Sequence, residues 1–201
     1  MIFEITSTLV KELREKTGAG MMNCKRALQE TDGNFEEAIK TLRQKGLASA
    51  DKKASRKVIE GIINSYIHTG SKIGVLLELN CETDFVARRE EFKDLANNLA
   101  MQIAASPEVK YISLEDIPSE IFKFEKEVEF NKEDLKDKPL EIRDKITSGR
   151  VEKTLKTLSL LNQPFIRDSN ITVEELIKEQ IALFGENIKI KRFIRYTIGG
   201  E

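Results

Sequence analysis

Three carboxylates gather in the stretch ELNCETDFVAR, Glu78 to Arg88: Glu78, Glu82 and Asp84. Acids at that spacing can hold a hard divalent cation or share general acid–base work. Either chemistry needs companions. The chain has no second carboxylate pair in a comparable setting and a single histidine, His68, with no ligand partners beside it. A second role fits the same residues: Thr83 or Asp84 can cap a following helix, a side-chain oxygen accepting from a free backbone N–H. Capping accounts for Asp84 but leaves Phe85 unexplained, and a device aimed at a partner protein is the third reading.

The other chemical candidates are weaker. TGAGMMNCK, Thr17 to Lys25, places Gly-x-Gly before a helix and a lysine. A phosphate-cradling loop requires a preceding strand and a longer glycine spacing, and here a helix precedes, so the glycines read as a tight helix–helix turn. Met21 and Met22 are adjacent and therefore ~100° apart on a helix, so at least one lies near the surface. There a soft thioether suits partner binding as well as it suits a merely tolerated position. KIKRFIR, Lys189 to Arg195, could touch RNA phosphates, but alternation spreads its charges over both faces, as in an edge strand with protective charge. No Ser/His/Asp or Cys/His set assembles, so the residues do not describe an enzyme.

The elements that must position these residues change character along the chain. Residues 1–46 read as three short helices. Ser7 or Thr8 caps the first, which Gly18 ends. Gly20 opens the second, which stops at the turn DGN. Asn34 caps the third, with Glu37 three residues on, and Gly46 closes it. Helices this short must hold one another. ADKKASRK, Ala50 to Lys57, reads as a linker, with a helical extension as the alternative. VIEGIINSYIH and KIGVLLELN flank TGS as an antiparallel hairpin. In its second strand Ile73, Val75, Leu77 and Leu79 share the core face. From Asp84 a helical stripe follows: Phe92, Leu95, Ala96, Leu99 and Ile103, ending before Pro107. Residues 113–161 read as two charged helices joined at KDKPLE, a projecting hairpin with Pro118 and Pro139 near the helix starts. NQPFIRDSN reads as a loop. Thr172 and Glu175 then form a capping-box pattern for a last helix ending at Gly185, and NIKIKRFIRYTI is a closing strand.

Composition bounds the class. Lys plus Arg (33) nearly cancel Asp plus Glu (34), which gives no bulk field favouring nucleic acid or membrane. No apolar run approaches the ~20 residues of a spanning helix. Two cysteines, Cys24 and Cys81, form no CxxC pair, which argues against a disulfide framework or zinc site and for a reducing compartment. The start of the chain shows no secretory signal pattern. These features read as an intracellular α+β protein.

LREKTGAGMMNCKRAL, Leu13 to Leu28, and ELNCETDFVAR closely resemble the two signature motifs of the translation elongation factor Ts family. The resemblance continues through GNFEEAIKTLRQKGLASADKKA, SYIHTGSKIGVLLE, LNQPFIRD, TVEELI and IKIKRFIRYTIGG, nearly the whole chain. It implies a ubiquitin-associated-like three-helix headpiece over residues 1–50, and an antiparallel sheet with packed helices over 51–112 and 165–201. It also implies a projecting helical hairpin over 113–164. The implied activity is guanine-nucleotide exchange on elongation factor Tu in its GDP-bound and nucleotide-free forms, with no cofactor of its own and no membrane or direct nucleic-acid partner. Carried onto this sequence, Phe85 inserts as a wedge beside the partner's nucleotide and magnesium site, with Thr83, Asp84 and Val86 around it. Leu13, Met21 and Met22 match the headpiece surface that docks, and His68 falls in a segment that approaches the partner. Long members carry two related core halves and a further C-terminal module. This chain resembles a short form, which favours a homodimer supplying the second half. The home implied is a bacterial cytoplasm or an organelle stroma. The alternative from another class is an RNA- or ribosome-binding module using the basic linker and KIKRFIR.

Overall fold

The computed structural model describes residues 5–200. In chain order they form helices α1 (Ser7–Thr17), α2 (Met21–Glu30) and α3 (Phe35–Lys53), then strands β1 (Glu60–Ile67) and β2 (Ile73–Cys81). Helices α4 (Asp84–Ala87), α5 (Glu90–Ala105), α6 (Ser119–Phe130) and α7 (Leu140–Leu158) follow. Strands β3 (Pro164–Phe165) and β4 (Asp168–Thr172), helix α8 (Val173–Phe184) and strand β5 (Lys189–Thr197) complete the chain. This is an α+β fold, with a three-stranded sheet of order β1-β2-β5 and a small antiparallel pair, β3-β4. The described residues divide into two compact units, 5–63, 78–94 and 175–191, and 64–77, 95–174 and 192–200.

In the first unit, α1, α2 and α3 close round Val10, Leu13, Cys24, Ala27, Leu28 and Ala38. Thr6, one residue before the expected cap, N-caps α1 by accepting from the Leu9 N–H at 3.3 Å. Gly18 ends α1 in the left-handed region (φ 67°), where a side chain is costly. Asn34 caps α3 as its sequence predicts, its Oδ1 accepting from the Glu37 N–H at 3.1 Å. Gly46, however, does not close α3. The helix runs through it to Lys53, and a Cβ there would come within 3.2 Å of the Ala182 Cβ on α8, so the glycine permits a close helix crossing. The linker expected from Ala50 is therefore partly helix, with Ala50 buried, and the third helix is not short. Ion pairs from Arg43 to Glu179 (2.9 Å) and Glu175 (3.5 Å), and from Lys178 to Asp51 (2.9 Å), also join α3 to α8.

β2 alternates largely as read: Val75, Leu77 and Leu79 are buried, Ile73 at the strand start is half-buried and Leu76 is exposed, while Cys81 extends the buried face. All five residues of the predicted helical stripe are buried on α5, although the helix is interrupted at Arg88–Arg89. In the second unit, α6 and α7 pack as the expected pair. Arg143 of α7 donates to the Phe130 carbonyl at 2.8 Å and stacks over the Phe130 ring at 3.7 Å. The segment expected to be a loop at 162–170 instead holds β3 and part of β4. Buried Gln102 steadies it, accepting from the Ile166 N–H at 2.8 Å and donating to the Pro164 carbonyl at 3.2 Å.

Candidate functional site

Where β2 ends, the chain makes one tight helical turn and presents a phenylalanine. Thr83 keeps extended backbone (φ −129°, ψ 155°) and N-caps α4, its Oγ1 lying 3.5 Å from the Val86 N that donates to it. Asp84 is not the cap. It occupies the first helical position, where its charge complements the helix N-terminus, and it pairs with Arg88 at 2.8 Å. Successive side chains on this turn point ~100° apart. Val86 is accordingly buried, at 6% exposure, while its neighbour Phe85 is 78% exposed.

The turn is held by a segment about a hundred residues away. Gly185, in the left-handed region (φ 77°), ends α8 and delivers Glu186 and Asn187. Glu186 Oε2 accepts from the backbone N–H groups of Glu82 (3.2 Å) and Thr83 (3.0 Å), and its Oε1 accepts from the Thr83 hydroxyl at 2.6 Å. Glu82 Oε1 in turn accepts from the Asn187 N–H at 2.6 Å and from Arg56 at 3.4 Å. The Asn187 amide donates to the carbonyls of Arg56 (2.8 Å) and Ala54 (3.3 Å), which is why the segment after α3 is no free linker.

Below the turn, the buried Cys81 thiol donates to the Thr83 carbonyl at 3.1 Å. Burial, and then the nearby Glu186 charge, push this thiol up to about 11, so it stays protonated and keeps donating. Beyond the turn, the Arg89 guanidinium lies over the Phe184 ring at 5.0 Å, and Phe92 meets the same ring edge-on at 6.0 Å.

The three sequence carboxylates thus do not converge on a common point. Glu82 is bound to Asn187 and Arg56, and Asp84 to Arg88. Among the described residues no group of three or more His, Cys, Asp or Glu is placed to hold a metal ion. The arrangement fixes a backbone turn and leaves one large aromatic surface in water, which suits binding rather than proton transfer.

The remaining site residues separate by burial. Met21 and Met22 stand at the start of α2, both exposed, Met22 at 66%. Leu13, expected on the same docking surface, has no exposed area and belongs to the three-helix core, so it can only support that surface from beneath. His68 lies in the second unit at the end of β1. Its backbone N–H closes on the Ile73 carbonyl at 2.9 Å, and its Nδ1 sits 3.0 Å from the Tyr66 hydroxyl. In the basic strand, Arg195 turns toward the Ala104 carbonyl (3.4 Å) and Thr197 (2.8 Å), so the basic residues do not present one common face. Sequence reasoning missed Glu186 and Asn187. The one local signal was a polar pair directly after a helix-ending glycine, and nothing in it names the partner turn.

Comparison with known proteins agrees with the motif resemblance. The family model described as Elongation factor TS matches residues 3–200. The chain is 63% identical to the chloroplastic elongation factor Ts of Guillardia theta over 199 residues, 99% of this chain and 91% of that protein. It is 63% identical to elongation factor Ts of Microcystis aeruginosa over 98% of this chain and 78% of that one. For Synechocystis elongation factor Ts the identity is 60%, over 98% of this chain and 90% of that one. With both signature segments in place and the match running almost end to end, this chain belongs to the elongation factor Ts family.

Proposed function

We propose that the protein is a guanine-nucleotide exchange factor for elongation factor Tu in translation elongation. Family membership carries this coarser reading. The observation that carries the finer one is Phe85: a 78% exposed aromatic on a turn whose backbone and neighbours are fixed. A hydrophobic ring held in water by a braced backbone loses little conformational freedom on docking, so burial gains are largely retained.

The ring enters the partner's GTPase domain as a wedge beside the nucleotide, displaces a helix there and loosens the magnesium and phosphate contacts. Thr83 and Val86 shape the turn, Asp84 borders it, and Met21 and Met22 supply a second contact from the headpiece, with Leu13 supporting them from the core. His68 adds a further contact. We read residues 1–50 as the headpiece, 51–112 with 165–201 as the core, and 113–164 as the helical hairpin. The action is thermodynamic coupling without bond chemistry: a factor that weakens GDP binding is itself weakened by GDP in the same ratio. Magnesium and nucleotide belong to the partner. The setting is a bacterial cytoplasm or an organelle stroma.

A homodimer is part of the same proposal. Ile67, Leu76, Ile194, Tyr196 and Ile198 of the second unit are all exposed. A Cβ at Gly74, which shares the face of Leu76, would lie 3.1 Å from Ile67, while Arg195 points oppositely to Ala104, so the exposed residues share the outer sheet face. An apolar face of this kind suits a second copy of the chain. Sedimentation showing a dimer that Tyr196→Glu dissociates is the expected result, and a monomer at micromolar concentration would remove this part.

The test of the exchange reading is release of a fluorescent GDP analogue from elongation factor Tu. Strong acceleration by the protein is expected, and no acceleration would refute the assignment.

A further inference from the structure

The Thr-Asp-Phe-Val turn leaves two backbone N–H groups and a hydroxyl at the end of β2 that neither strand nor helix satisfies. They are met by one carboxylate, Glu186, with distances of 3.2, 3.0 and 2.6 Å. Nothing about this arrangement is local. Glu186 arrives from the far end of α8, and the neighbouring Asn187 reciprocates by donating its N–H to Glu82 at 2.6 Å. This exchange therefore pairs two loops that the sequence separates by about a hundred residues, and it grips Glu82 and Thr83, three and two positions before Phe85.

We propose that Glu186 is a positioning residue for nucleotide exchange: its carboxylate clamps Glu82 and Thr83 so that Phe85 is presented before the partner arrives. The inference rests on the Phe85 reading above. The physical case is threefold. Hydrogen bonds to an ionised acceptor are roughly twice as strong as neutral ones, and here one group accepts three. The cap that starts α4 is a single long bond at 3.5 Å, weak support for a four-residue helix, and the clamp adds three bonds on the N-terminal side of the turn, where the Cys81 thiol holds only the Thr83 carbonyl. Finally, little of the Phe85 ring is packed, the residue being 78% exposed, so its orientation is set largely by the backbone beneath it. Without Glu186 the turn would sample other conformations, and partner binding would have to select the productive one from that ensemble.

The test is a double-mutant cycle on GDP release from elongation factor Tu, using the full chain with Glu186→Ala, Phe85→Ala and both together. Glu186→Ala is expected to lower exchange efficiency about tenfold, in line with the loss of charged hydrogen bonds. In the Phe85→Ala background the same change is expected to have no further effect, because there is no ring left to position. A merely structural role would instead lower efficiency by the same factor in both backgrounds, and that result would overturn the proposal. Glu186→Gln, which keeps one acceptor oxygen and the side-chain volume, should recover part of the loss. It also guards against a misfolded alanine variant. Amide hydrogen exchange at Glu82 and Thr83 gives an independent readout, expected to speed up in Glu186→Ala while the α2 and α5 amides stay unchanged. Unchanged exchange efficiency in Glu186→Ala alongside a large Phe85→Ala effect would refute the clamp alone. An unchanged Phe85→Ala would refute the wedge, and with it this role for Glu186.

Discussion

Phe85 and Val86 are consecutive residues on a single helical turn, and their substitutions by alanine should fail in opposite ways. A phenylalanine side chain offers ~150–250 Å² of surface, and with 78% of the residue exposed roughly 150 Å² remains for a partner to cover. At ~25 cal/mol per Å² that area sets an upper limit near 4 kcal/mol, and the β-carbon that alanine retains lowers it to ~1.5–3 kcal/mol. Phe85→Ala should therefore reduce exchange efficiency on elongation factor Tu by about 10- to 150-fold. The free protein should keep its stability within about 0.5 kcal/mol, since little of the ring is packed. Val86 is 6% exposed, and removing its two methyl groups should cost ~1.5–3 kcal/mol of folding stability through lost transfer energy and a cavity. For a chain of this size that lowers the melting temperature by roughly 3–12 °C. Stopped-flow release of a fluorescent GDP analogue, beside thermal melts of the same preparations, reads both quantities. Equal melting losses in the two variants would mean that Phe85 packs into its own fold, and full exchange activity in Phe85→Ala would dismiss the wedge.

Three further outcomes follow from the same burial and geometry. Leu13→Ala should destabilise the headpiece by ~2–5 kcal/mol, whereas Met22→Ala should leave melting unchanged and weaken binding to elongation factor Tu in calorimetry. Gly61 has φ 148°, and a Cβ there would lie 2.2 Å from the Leu79 carbonyl oxygen and 2.7 Å from the Asn80 Cα. Both obstacles are backbone, so Gly61→Ala should cost at least ~2 kcal/mol in urea denaturation, and a neutral result would contradict the strand geometry. The Cys81 thiol is raised from its ordinary 9.0 to about 11, so the folded state holds its proton where the unfolded chain releases it. Its contribution to stability is complete below pH 9 and declines as pH rises toward about 11. At pH 9 the folded protein should be alkylated at Cys81 far more slowly than the urea-unfolded chain, and equal rates would refute the burial argument.

The sequence was most informative where the signal is local. Periodicity marked the core face of β2, since residues two apart on a strand must share a face, and it marked the buried stripe of α5 for the equivalent reason at helical spacing. Asn34 and Gly18 announced helix ends because cap chemistry is completed within three or four residues. The glycine at position 46 misled because a glycine can end a helix or permit a close crossing, and only the approach of Ala182 decides between them. The burial of Leu13 was not legible either, because a motif match names residues without saying which of them have no exposed area.

By itself, then, the sequence determined the family, the three N-terminal helices, the β1-β2 hairpin and the oddity of a phenylalanine among acids, but not β3 and β4. The tertiary structure alone decided that Phe85 faces water while Val86 is buried, and that Thr83, not Asp84, caps the turn. It alone placed the Glu186 carboxylate on the Glu82 and Thr83 amides. Capping and alternation depend on neighbours in the chain, which a sequence displays. A carboxylate meeting backbone donors a hundred residues away depends on how helices and strands return to one another, and that is settled only when the whole chain packs.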